Sequence, residues 1–115
     1  GFATGHVDYN VRHRHNEVEQ FPNIAIAKFE EIALWLGSVQ SEWLQQKVTI
    51  SSEVELGHSH LSQCCSTFER ELVFVNSHAI HHYALIRTIC SMQNKDVPEF
   101  FGYAPATIAH INKTA

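Results

Sequence analysis

No stretch of this sequence approaches the roughly 18 or more consecutive apolar residues that a membrane span requires, and no signal peptide is visible. A basic run or stripe is missing too. Eight Lys and Arg stand against twelve Asp and Glu, a formal net charge of −4, which argues against nucleic acid as the main partner. Cysteine is scarce: Cys64, Cys65 and Cys90 are odd in number and include a vicinal pair, so they do not form a disulfide framework. They read as small buried side chains in a reducing, cytoplasmic setting. Methionine occurs once, at Met92, so the chain has no initiating Met and is expected to be a processed or expressed fragment, or to lack something upstream. There is also no Gly-rich phosphate loop, no nucleophile elbow and no CxxC pair. Ser77 beside His78 is no catalytic dyad, because neighbours on a helix diverge by about 100°.

What is present suits one globular domain. The 115 residues are 44% hydrophobic and 17% charged, an ordinary balance for a chain with a small core that would gain from a partner or a metal. Histidine is the excess: there are nine.

Residues 1–20 carry no helical or strand period and read as an irregular, polar lead-in. Pro22 suits the first turn of a helix and Gly37 its C-terminal cap, and between them Ala25, Phe29, Ile32 and Leu36 form one apolar stripe. That spacing predicts a helix over 22–36. Segment 47–56 alternates and is rich in β-branched residues, so a β-hairpin is expected over 47–66, turning at Gly57-His58-Ser59-His60. Over 67–92, Phe68, Leu72, Val75, Ala79, His82, Ile86 and Ile89 repeat at four, three, four, three, four and three. This seam is the pattern of a helix packed into a bundle, with Ser66 or Thr67 as N-cap. Residues 93–115 form a tail punctuated by Pro98 and Gly102, with a short helix over 105–111.

His82 takes a seam position that would otherwise be apolar, and His78 lies one turn earlier on nearly the same face. Two imidazoles so spaced can converge on one divalent ion. Equally, a seam histidine can be a hydrogen-bonded core residue, and two ligands do not complete a zinc-type site, which wants at least three from the protein. Glu71, two turns before His78, suits hydrogen bonding to a ligand or proton transfer better than ligation. Arg12, Arg14 and Arg70 could hold an anionic group, or pair structurally with Glu17, Glu19 or Glu69.

Segment 66–87, STFERELVFVNSHAIHHYALIR, resembles the last bundle helix of DinB-like proteins, a metal-binding four-helix-bundle superfamily. SHAIHHYALI is similar to that family's signature. The tail VPEFFGYAPATIAH and the lead-in VDYNVRHRHNEVE, with Tyr9, Arg12, Arg14 and Glu19, resemble one subgroup. The resemblance implies a mainly α fold: a partial DinB-like helical bundle of two long helices plus a small β-hairpin, spanning 1–115 as a single partial domain. It makes His78 and His82 ligands to a divalent metal, zinc or nickel, with Glu71 or Tyr83 moving a proton. The family's first two helices and third histidine lie upstream of the VDYN segment and are absent here. A homodimer is then expected to close the four-helix bundle, or a separate upstream partner chain, with His6, His13, His58 or His60 as possible third ligands.

The implied function is a divalent-metal-binding protein, a metal-dependent hydrolase or thiol-dependent transferase of unstated substrate. The alternative is a non-catalytic remnant or interaction domain held together by dimerisation. A third reading is a histidine-rich module that responds to pH or stores metal.

Overall fold

The computed structural model describes residues 2–11, 16–57 and 59–115. The chain divides into two compact units, Gly1–Arg70 and Glu71–Ala115, each taken by itself below.

The first unit is built on a three-stranded sheet of order β1-β2-β3, with β1 at His6–Asp8, β2 at Lys47–Glu53 and β3 at Leu61–Thr67. β2 is the central strand and the most covered: Val48 and Ile50, two apart on one face, are 3% and 6% exposed, and Ser51 on the other face is 1% exposed. β3 returns antiparallel to it, from Lys47↔Thr67 to Glu53↔Leu61. β1 lies parallel on the other side, with His6 opposite Thr49 and Asp8 opposite Ser51. Parallel neighbours need a long crossover. Here it carries three helices: α1 (Glu17–Gln20), α2 (Pro22–Ser38) and α3 (Ser41–Leu44).

The short β1 is pinned at both ends. The Thr49 amide donates to the Gly5 carbonyl at 2.8 Å, and the Tyr9 amide donates to Ser51 at 3.0 Å. Gly5 sits at φ 67°, a left-handed turn that a side chain would resist. Beyond the strand, Asn10 accepts from the Glu53 amide through its side-chain oxygen at 2.8 Å, which extends the ladder by one rung. Asp8 steadies Asn10 by accepting from its backbone and side-chain nitrogens, each at 2.9 Å.

β3 runs directly into α4 (Phe68–Met92). The Phe68 amide donates to Gln46, its ring is 7% exposed, and Trp35 meets it edge-on at 6.0 Å between centroids. Thr67 caps the helix by accepting from the Arg70 amide at 3.3 Å. α2 begins at Pro22, where a missing N–H costs nothing, and passes through Gly37 to end at Val39.

In the second unit α4 stops at a left-handed residue, Asn94, with φ 54°. The Lys95 amide donates to Cys90 at 2.8 Å and the Asn94 amide to Ser91 at 3.1 Å, the paired bonds of a Schellman ending. The tail then folds back along the helix before α5 (Pro105–Thr114). Gly102 makes this possible. At φ 77°, an added Cβ would come within 2.8 Å of the backbone of Tyr83 and Ala84.

Three expectations are corrected. A helical bundle with a small hairpin does not describe this fold: the strands expected over 47–66 are two members of a mixed sheet that includes a parallel β1. β1 lay hidden in the lead-in because three residues carry no readable period, and its pairing is non-local. Second, the heptad seam of α4 is not a buried bundle seam, since Val75, Ile86 and Ile89 are exposed. A heptad fixes which residues share a face and says nothing of what covers it. The cysteines also differ from expectation: Cys64 and Cys65 are exposed on β3, and only Cys90 is partly covered.

Gly102→Ala is expected to detach the 100–103 turn from α4 and to cost about 1–3 kcal/mol. Amide exchange at Tyr103, whose N–H donates to Phe100, checks it, with the thermal midpoint as the second reading. An unchanged exchange rate would contradict the close approach.

Candidate functional site

The second unit gathers most of the chemically distinctive side chains on α4. Phe74, His78, His81 and His82 follow one another along successive turns. Phe74 stacks on His78 at 6.0 Å, and His82 meets His78 edge-on with ring centroids 4.7 Å apart. The Nε2 atoms of His78 and His82 are 3.0 Å apart, a distance at which one neutral ring donates a hydrogen bond to the other. His81 is closer to this pair than its place on the helical wheel suggests, 5.7 Å from His82 between ring centroids. Both His78 and His82 are exposed.

The other expected site residues do not join them. Glu71 is 5% exposed, two turns from His78, and does not lack a polar partner. Buried side-chain nitrogens and oxygens among the described residues all have hydrogen-bond partners, which is the condition for holding a carboxylate under cover. Tyr83 is half-buried with its ring stacked on Phe101 at 5.0 Å. Arg70 lies in the first unit, in an open cleft with Lys47, Cys65, Ser66 and Thr67. Arg12 and Arg14 lie outside the described residues, as do His13 and His58. His6 is committed to the sheet, its Nε2 2.8 Å from the Ser51 hydroxyl. His60 is exposed in the loop before β3.

Metal binding was the strongest expectation for this chain, and the arrangement does not fit it. Among the described residues no group of three or more His, Cys, Asp or Glu is placed to hold an ion. Among the described residues, then, none stands with His78 and His82 as the third protein ligand that a zinc or nickel site of the expected kind would need. No helix among the described residues has the length and apolarity to cross a membrane.

Sequence reasoning passed over the best-organised cluster of the unit. Arg87 donates to the Phe101 carbonyl at 3.1 Å, and its guanidinium lies 4.6 Å from the centre of the Tyr103 ring. With Tyr83 on Phe101 and Gly102 against Ala84, these residues fasten the tail to the helix. The available signal was the aromatic density of Phe100, Phe101 and Tyr103 around a glycine.

No family model matches the chain, and no solved structure matches it. Among curated proteins it is similar to FK506-binding protein 5 of Rhizopus delemar, with 43% identity over 70 residues. The match covers 61% of this chain and 18% of that protein, so the chain spans about a fifth of the length of the curated relative it matches. The DinB-like resemblance is corrected by these findings: the relative carries the name of a different protein family, and no DinB-like family model matches. With the resemblance fall the metal-dependent hydrolase or transferase it implied and the remnant of that family offered as its alternative.

Glu71→Ala is expected to lower the unfolding free energy by roughly 1–3 kcal/mol, because it strips a buried polar partner. His82→Ala removes one exposed hydrogen bond and is expected to change stability by less than about 0.5 kcal/mol. Urea denaturation of both variants checks the contrast, and equal effects would contradict the placement of the two side chains.

Proposed function

We propose that this chain is one segment of a protein of the FK506-binding kind, and that it binds by presenting apolar surface to a ligand or to a covering partner. The observation that carries the reading is the 43% identity over 70 residues with FK506-binding protein 5. The surface of the chain supports it. On α2, Phe29, Ile32 and Leu36 lie along one stripe and are all exposed, with Ile26 and Trp35 exposed on its flanks. Contiguous apolar surface of this kind marks a binding or association face in soluble proteins.

Aromatic and aliphatic side chains such as these supply most of the lining of small-molecule sites, so the α2 face offers apolar contacts to a ligand that carries apolar surface. The same face also suits a second copy of the chain or a separate partner chain, the two partners the sequence led one to expect. In either case binding is driven by removing apolar area from water, worth about 25 cal/mol per Å².

Titrating FK506 into the purified chain while following tryptophan emission tests the ligand directly. Trp35 and Trp43 are the two reporters. The expected result is a saturable change with a dissociation constant of about 10 μM or tighter. Phe29→Asp is expected to weaken it at least about tenfold, through loss of an apolar contact and burial of a charge. A flat titration to the solubility limit of the compound would sink the ligand reading.

A further inference from the structure

The Schellman ending of α4 leaves a cleft of about 410 Å³ between the last turns of the helix and the segment that follows. Its lining is Arg87, Ser91, Asn94, Lys95, Asp96 and Val97, all within the second unit. Two cations, one carboxylate, a hydroxyl and an amide thus meet in one concavity, with a single apolar side chain.

These groups do not satisfy one another. Ser91, Asn94, Lys95 and Asp96 are exposed, and among the described residues Lys95 and Asp96 form no ion pair and the four side chains make no hydrogen bond within the protein, which leaves them open to a ligand in place of water. Arg87 is held by the Phe101 carbonyl and the Tyr103 ring, which fixes its guanidinium. It uses one of its five N–H donors on the carbonyl, so others are available to a ligand. The left-handed Asn94 and the tight Lys95 amide bond to Cys90 set where the two charged neighbours leave the backbone.

We propose that this cleft binds a small zwitterion of the amino-acid type, its carboxylate held by Arg87 and Lys95 and its ammonium by Asp96. The charges explain why neither a simple anion nor a simple cation fits as well. An anion alone would meet the Asp96 carboxylate and the negative end of the α4 dipole. A cation alone would meet Arg87 and Lys95. A ligand carrying both charges complements all three side chains, and the guanidinium fork suits a carboxylate in particular. The volume falls in the range of ordinary small-molecule sites.

The test is a titration of the full chain with L-alanine and L-leucine, followed by amide chemical shifts, with acetate and methylammonium as the separated halves. Saturable shifts at Arg87, Ser91 and Asn94–Val97 are expected, with a dissociation constant of about 1 mM. Asp96→Asn and Lys95→Gln are each expected to weaken binding about tenfold while the remaining amide shifts stay in place, showing that the fold is intact. Arg87→Lys is not decisive, because Arg87 also fastens the tail. Acetate binding as tightly as the amino acids, with Asp96→Asn without effect, would overturn the zwitterion in favour of a plain anion site. Absence of saturation up to about 100 mM, a hundredfold above the expected constant, would overturn the site altogether.

Discussion

Ser51 lies at the centre of β2 with 1% of its surface exposed, where a hydroxyl without partners would cost about 1–3 kcal/mol. Both neighbouring strands supply the partners: His6 from β1 at 2.8 Å and Gln63 from β3 at 3.3 Å. The first unit depends on this arrangement. β1 has three residues, too few to stand as a strand without the pairing, and its side-chain contact with Ser51 gives it a register as well as a backbone ladder. The covered face of β2 then supplies Val48 and Ile50, and Phe68 joins them as the remaining apolar residue buried among those described.

Three deeply buried apolar side chains among the described residues are a slender core. Set against them is the long exposed face of α2 and the exposed half of the α4 seam. Apolar burial is the dominant favourable contribution to folding, and conformational entropy opposes it at comparable size. A chain with this distribution is expected to have little stability of its own and to gain from whatever covers its helices.

Local pattern was legible in the sequence, and its long-range consequences were not. Apolar residues at 25, 29, 32 and 36 fall in α2, the heptad falls in α4, and the alternating β-branched run falls in β2. Each is a property of a few neighbouring residues. β1 escaped because its identity as a strand comes from Thr49 and Ser51, far along the chain. The tail clamp escaped for the same reason, since Arg87 and Tyr103 show no mutual periodicity. The histidine pair shows the opposite error. Two imidazoles at i, i+4 need only a helix to approach each other, so the spacing is compatible with many folds. It carried a resemblance to metal-binding bundles that neither the sheet nor the relative supports. The anion-holding role read from Arg12, Arg14 and Arg70 rested on the chemistry of the guanidinium and not on any spacing among them, and of the three only Arg70 lies among the described residues.

The most direct test of the imbalance between core and exposed helix faces is the unfolding free energy of the isolated chain, measured by urea across a hundredfold range of protein concentration. A low stability, below the roughly 5–15 kcal/mol usual for a domain, that rises with concentration is the expected result, since association would cover the exposed stripes. A monomeric chain whose stability lies within that ordinary range and does not change with concentration would contradict it.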